Sequence, residues 1–243
     1  MTAMRLRPDE HYGVVGATGS GKTTWLNKVL WPSMLRMPNT YYVILDYKDE
    51  WKQKDEKLVH DPQELSEALY KGKKPEAKIM RVVPVHAPSP ELAEMYLRSA
   101  WAPTQTNNIQ YKPNFGIRLL VDDMPVWYQE TGGKGPQDWL NMWMSVGRAK
   151  RRGIIWISQR YAQIPKILPT QTTGFTVFFK TQPYDRKRIR IEFGNQVASA
   201  VASVKQYGYV MASDWLPNFY EVYNPLKGRF KARPKGVELK GLD

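Results

Sequence analysis

The sequence contains no cysteine. Disulfides and thiolate zinc sites are therefore excluded, while nothing follows about redox compartment. No apolar run reaches the roughly 18 residues of a membrane-spanning helix, so none is expected. The stretch Met1 to Glu10 lacks an apolar core segment, and no secretory signal is expected there. No internal repeat is present. Acidic residues are in short supply: 23 Asp and Glu face 36 Lys and Arg, a net charge of +13. Such an excess suits a polyanionic partner, with nucleic acid first among them. The plainer reading is a basic surface that only solvates the protein. Hydrophobic residues make up 42% of the 243, which suits a globular chain with a substantial core rather than a disordered one.

What is present is organised around Gly16-Ala17-Thr18-Gly19-Ser20-Gly21-Lys22-Thr23-Thr24. The stretch fits G-x-x-x-x-G-K-[ST], a phosphate-binding loop. An apolar run, Tyr12-Gly13-Val14-Val15, precedes it, and a helix-like run with Leu26, Val29 and Leu30 follows. Glycines let successive N–H groups point into one concavity, and the next helix adds its positive end. Gly16, Thr18, Gly19, Ser20, Gly21, Lys22, Thr23 and Thr24 are the candidate nucleotide contacts. Lys22 is suited to the β- and γ-phosphates of ATP, and the Thr23 hydroxyl to Mg²⁺. The plainer reading is a chance match on a glycine-rich turn.

Further on, Pro32 is expected to end the first helix near Trp31. Tyr41 to Leu45 reads as a buried parallel strand that ends in Asp46-Tyr47-Lys48-Asp49-Glu50. Asp61 caps a helix that opens with Pro62 and Glu64 and buries Leu65, Ala68 and Leu69. Lys78 to Val85 reads as a strand. Ser89-Pro90-Glu91 opens a helix with Leu92, Met95, Tyr96 and Ser99, and Ala102 to Asn114 reads as a loop. Ile117 to Val121 is an apolar strand ending in Asp122 and Asp123, the Walker B pattern. Asp122 then supports Mg²⁺, usually through water. Gly132 to Gly135 is a turn. Trp139, Leu140, Trp143, Met144 and Gly147 fall at helical spacing, as core or subunit contact, and Arg148 to Arg152 suit that helix's C-terminus. Gly153 to Ser158 is a strand with Gln159 and Arg160 at its tip. Gly174 to Lys180 is another strand, and Tyr184 to Phe193 a helix. Val197, Val201 and Val204 mark a buried helix face, and Tyr209 to Met211 and Phe219 to Tyr223 close the sheet. The tail from Asn224 holds six basic and two acidic residues and reads as an arm. The division expected is an ATPase domain over 1–223 and a basic tail over 224–243.

Taken in order, Gly16–Thr23, Asp46–Glu50, Leu119–Asp123, Arg148 and Ser158–Arg160 resemble the FtsK–HerA superfamily of DNA-pumping ATPases. The D-x-K-x-E segment and the strand ending in [ST]-Q-R are the more family-specific motifs. The resemblance spans about residues 12 to 193. A lone motor domain, without room for a membrane anchor or winged helix, looks most like the genome-packaging ATPases of tailless membrane-containing viruses. The resemblance implies an α/β, RecA-like P-loop NTPase fold with a mostly parallel central sheet flanked by helices. It also implies a homo-oligomeric ring, usually hexameric, with double-stranded DNA in the pore. Carried over, Lys22, Asp122, Asp123, Arg148 and Gln159 are the catalytic set, with Thr23 and Asp122 serving Mg²⁺. Gln159 reads the γ-phosphate, and Arg148 acts in trans, with Arg151 and Arg152 as rivals. The family generally has Glu after the Walker B Asp; Asp123 stands there, one methylene shorter. Glu50 and Glu130 are alternative bases.

The function expected is ATP-driven translocation of double-stranded DNA in viral genome packaging. The alternatives are a small-molecule phosphotransferase and a nucleotide-dependent DNA-binding module without translocation. Phosphate transfer to a nucleoside marks the first, and tight ATP binding without turnover the second. The absence of L-S-G-G-Q argues against a transporter ATPase. Arg186, Lys187, Arg188, Arg190, Lys227, Arg229 and Lys231 are candidate DNA contacts. The rival reading of these charges is anchoring to a capsid vertex or portal protein, or peripheral contact with the viral membrane. Ala102 to Asn114 and Thr131 to Gly135 are candidate pore loops. Host cytoplasm and the virion are the expected locations.

Overall fold

The computed structural model describes residues 9–72, 74–101, 115–128, 136–179, 182–213 and 220–223. The protein is α/β; the described residues form nine strands, mostly in parallel pairing, with flanking helices. It divides into two compact units. One contains Tyr12–Arg36 and the described residues from Ser158 onward; the other contains the described residues up to His11 and Met37–Ile157.

In the first unit, β1 (Tyr12–Val15) pairs in parallel with β7 (Gly174–Phe178). β8 (Tyr209–Ser213) and β9 (Tyr220–Tyr223) then add antiparallel. The core gathers on Trp25, which stacks on Tyr12 and meets Phe178 and Tyr209 edge-on. Trp25 lies in α1 (Lys22–Trp25), which opens directly behind the phosphate loop. The helical path does not stop at Trp31. A π-turn over Leu26–Leu30 leads into α2 (Trp31–Leu35), with Pro32 in its first turn. Proline lacks the N–H an interior helical position would donate; in a first turn that N–H has no intrahelical partner anyway. The wider turn, closed by Trp31 N–H to Leu26, makes the restart. Two short helical segments follow, a 3₁₀ turn over Tyr161–Gln163 and α7 (Ile167–Gln171). α8 (Pro183–Ser203) consists of two helical stretches that part at Gly194, whose φ of 86° and ψ of 169° are not helical, so the first ends at Phe193 as expected. Glycine adopts that backbone without a Cβ clash. Val197, Ala200 and Val201 are buried in α8, whereas Val204 is its extended C-cap rather than part of the face.

In the second unit, five strands pair in parallel in the order β3-β4-β2-β5-β6. They are β2 (Thr40–Leu45), β3 (Glu56–Val59), β4 (Ile79–Val82), β5 (Gly116–Val121) and β6 (Arg152–Ser158), the last residue of which falls in the first unit. β3 escaped the sequence reading because only Val59 of its four residues is buried, so no apolar alternation shows. β4 is shorter than Lys78 to Val85, and Val85 is largely exposed. α3 (Pro62–Tyr70) opens as expected, with the Asp61 carboxylate accepting from Glu64 N–H at 2.8 Å. α4 (Pro90–Trp101) buries Tyr96 and Ser99 as expected, together with Ala93, Leu97 and Ala100, while Met95 is exposed. Two alanines let α4 lie close to α3 and α6 (Asp138–Val146), both of which it packs against. Trp143 on α6 is core, its indole donating to the Leu97 carbonyl at 3.0 Å. α5 (Met124–Trp127) follows β5 directly.

His11 is buried in this unit and its Nδ1 accepts from Ile154 N–H at 3.1 Å. Burial first, then the cations Arg118 and Arg148, lower it from 6.5 to about 4; the Met144 backbone and Asp9 act the other way. A neutral folded imidazole favours the native state only while the unfolded chain is also unprotonated. Stability is therefore full above pH 6.5 and falls as pH drops toward 4, by about 3 kcal/mol at most. In urea unfolding at pH 7 and pH 4.5, His11→Gln, whose amide oxygen can accept the same N–H, is expected to lose less stability than wild type.

Candidate nucleotide-binding site

The phosphate loop is built from backbone conformations that its glycines supply. Gly19 and Gly21 have φ of 73° and 100°, in the left-handed region. Gly16 serves close approach instead. A Cβ there would lie 2.6 Å from Phe178 Cβ and 2.7 Å from Ser20 Oγ. Gly16 N–H donates to the Ser158 carbonyl at 3.1 Å, pinning the loop's start to the end of β6. Ser20 is fully buried, and its hydroxyl has no hydrogen-bond partner. The Lys22 ammonium donates to the Gly16 and Ala17 carbonyls, the latter at 3.1 Å. Thr23 and Thr24 are exposed at the start of α1. Gly19 to Thr24 line a cavity of about 260 Å³ together with Tyr207. No motif pointed to Tyr207; the turn between α8 and β8 carries it there. The positive-φ glycines, the close approach at Gly16 and the unpartnered Ser20 hydroxyl fit a phosphate chain, and the Thr23 hydroxyl fits its Mg²⁺. Gly16→Ala is expected to destabilise the protein by about 1–3 kcal/mol through overpacking and to weaken ATP-analogue binding. Thermal unfolding and an analogue titration check both.

At the tip of β6, the motif Ser158-Gln159-Arg160 is braced by its own outer residues. Ser158 Oγ donates to the Arg160 carbonyl at 2.8 Å and accepts from Arg160 N–H at 3.0 Å. Arg160 Nε reaches the buried Asp185 of α8 at 3.1 Å, and Asp185 also accepts from Ala162 N–H. Gln159 is left facing the loop, where Oε1 accepts from the Thr18 hydroxyl at 2.7 Å. Thr18 and Gln159, 141 positions apart, are thus in direct contact. Asp185 was passed over in favour of its basic neighbours. Among those, Lys187 and Arg190 are exposed. Arg188 is engaged with Glu192 at 3.0 Å, the Tyr161 and Ile164 carbonyls, and the Tyr161 ring. Lys227, Arg229 and Lys231 lie outside the described residues, as do Glu130 and both candidate pore loops.

The second unit holds the acidic candidates. Asp46, fully buried at the end of β2, accepts from Glu50 and Trp51 N–H at 3.1 and 2.7 Å. Arg81 sits 3.5 Å from Asp46, 2.7 Å from Glu56, and in contact with Asp49. Asp46 therefore shapes a turn, Glu50 is exposed, and Lys48 pairs with neither. Lys48 Nζ instead meets Asp123 at 2.9 Å, where the Tyr47 hydroxyl also donates at 3.3 Å. Partial burial opposes it, but Asp123 and Tyr47 hold the Lys48 ammonium above the ordinary lysine range. Asp123 has φ 52°. Asp tolerates the left-handed region better than most side chains, which gives a backbone reason for Asp where the family generally has Glu. Asp122 ends β5; burial pushes its carboxyl above the usual range, opposed by a hydrogen bond from Trp51 and by Lys48.

The three arginines after α6 separate clearly. Arg152 is buried and donates to the carbonyls of Phe115, Lys150 and Trp101 and to the Tyr70 hydroxyl. It is committed to the fold. Arg148 and Arg151 are exposed. Arg148 sits on a 3₁₀ turn over Gly147–Lys150 whose glycine has no room for a Cβ, 2.7 Å from the Arg152 carbonyl.

Residues 9–118 match the family model of the central domain of helicase HerA. Over those residues the chain resembles that domain. Solved structures share its fold. The genome-packaging NTPase B204 of Sulfolobus turreted icosahedral virus 2, solved with ATP-γ-S, superposes with a TM-score of 0.71 at 16% identity, covering 90% of this chain and 99% of B204. B204 of Sulfolobus turreted icosahedral virus, described as a DNA-packaging ATPase, gives 0.68 at 16% identity over 91% and 100%. VirB4 of Thermoanaerobacter pseudethanolicus gives 0.61 at 9% identity over 92% and 90%. No curated protein sequence matches. Among the described residues no helix is long and apolar enough to cross a membrane.

Proposed function

We propose that the protein is an ATP-driven translocase of double-stranded DNA, working as a homo-oligomeric ring in viral genome packaging. The observation that carries the reading is the Thr18–Gln159 hydrogen bond, which links the phosphate loop directly to the tip of β6. A change at the phosphates is felt at Gln159, and through Arg160 and Asp185 at the start of α8. That helix carries Lys187 and Arg190 on its exposed side, a route from ATP state to a DNA contact.

In this reading the loop N–H groups and Lys22 bind the phosphates. Thr23 and Asp122 hold Mg²⁺, which when bound neutralises charge on the phosphate oxygens. Asp123 orients the attacking water, Gln159 senses the γ-phosphate, and Arg148 reaches the site of a neighbouring copy. The net charge of +13 and the packaging role named for B204 both support DNA as the cargo. A capsid vertex or portal protein would dock the ring, which places it in the host cytoplasm during assembly or in the virion.

The test is ATP hydrolysis with and without duplex DNA, alongside oligomer mass. Expected are stimulation by duplex DNA and a ring-sized mass. A wild type that hydrolyses ATP but neither binds DNA nor responds to it would sink the translocase reading. The salt dependence of DNA binding gives a finer check. Removing one cation that neutralises a DNA phosphate lowers the log–log slope by about 0.9. Replacing Lys187 and Arg190 by Gln is expected to lower it by nearly twice that, if each neutralises one phosphate.

A further inference from the structure

The turn after β2 reaches Asp123, just beyond the end of β5. Its residues divide the work. Asp46 spends its carboxylate on Glu50 and Trp51 N–H and so closes the turn. Arg81, almost fully buried, ties Asp46 and Asp49 of that turn to Glu56 on β3. The turn is thus held from inside the sheet. Two side chains then face the end of β5. The Lys48 ammonium and Tyr47 hydroxyl converge on one oxygen of Asp123. Tyr47 is itself packed edge-on against Trp127 of α5, which limits its movement.

We infer that the 46–51 turn is a clamp for the Asp123 carboxylate and that Lys48 is its positioning residue. Aspartate stands where the family generally has the longer glutamate, so its carboxylate has less reach with which to find the water. A two-point hold by Lys48 and Tyr47 fixes where that shorter carboxylate sits. This assignment rests on the proposed role of Asp123 in ATP hydrolysis.

Three single variants and one double variant test it in the full chain. Lys48→Met keeps the stem and removes the charge. It is expected to lower kcat about ten- to hundredfold, the usual cost of losing a residue that orients an active-site ligand. The KM for ATP and the affinity for an ATP analogue should stay within about twofold. Lys48→Arg, which keeps the cation, should recover most of the rate. A readout free of turnover comes from urea unfolding of the nucleotide-free protein. The midpoint shifts of Lys48→Met and Asp123→Asn should sum to more than the shift of the double variant, because the two share one interaction. Unchanged kcat, a loss confined to KM or analogue affinity, or a rise in kcat would overturn the assignment; so would strict additivity of the midpoints. If wild type itself shows no hydrolysis sensitive to Lys22→Ala, the ATPase role of Asp123 fails while the unfolding cycle still reports on the clamp.

Discussion

Lys22→Ala is expected to reduce ATP turnover by about 10²–10³-fold, the scale on which removing one aimed charge-stabilising donor acts. Lys22 sits at the mouth of α1 with its ammonium over the loop, against the Gly16 and Ala17 carbonyls. With nucleotide bound, that cation would be free to turn from the carbonyls to the phosphates. Two effects add in the variant. The phosphates lose their point charge, and two loop carbonyls lose a donor that helps hold the curl. The variant should therefore bind an ATP analogue more weakly as well as turn ATP over more slowly. Steady-state hydrolysis and an equilibrium analogue titration separate the two losses. Global stability should change little, since the Lys22 side chain is only part-buried. Turnover within tenfold of wild type would mean that this loop is not the hydrolytic site.

The second large effect is expected at Arg148. An arginine supplied to a transferring phosphoryl group is worth about 10³–10⁵ in rate. If Arg148 serves a neighbour's site, as proposed, Arg148→Ala should lose activity on that scale and retain analogue binding. The decisive measurement is a mixture. Arg148→Ala and Lys22→Ala, each inactive alone, should regain activity together, since mixed rings contain interfaces with an intact Lys22 facing an intact Arg148. No recovery in rings shown to be mixed would refute action in trans. Arg151→Ala is the control for the other exposed arginine and should stay near wild-type rate. Arg152→Ala should instead unfold more readily. Its guanidinium supplies hydrogen bonds to three carbonyls and a hydroxyl in the interior, and these would be left buried without a donor.

Much of the site could be read from residue order because its chemistry is local. A phosphate loop is nine consecutive residues whose glycines, lysine and threonine do their work within one turn of chain. The same holds for Asp61 and Pro62 at the start of α3, where cap and helix are neighbours in sequence. Met95 of α4 was misjudged because Met95 and Tyr96 both suit a buried face. Only packing against α3 and α6 selects Tyr96. The end of the first helix was misjudged for a similar reason. Pro32 is a breaker in an α-helix interior, and nothing local signals the π-turn that lets a new helix start beneath it.

By itself the sequence determined the loop at Gly16–Thr24, the acidic strand end at Asp122, the α/β class and the basic character of the chain. These depend on residue type and short spacing, and the physics of glycine, phosphate and apolar strands acts over a few residues. The tertiary structure decided what each side chain is available to do. It put Gln159 on Thr18, turned Lys48 away from Asp46 and onto Asp123, and buried Arg152 while leaving Arg148 and Arg151 exposed. Such choices depend on strand order. In a parallel sheet, neighbours in space come from distant parts of the chain, and hydrogen-bond and ion-pair partners are settled only once the strands lie side by side.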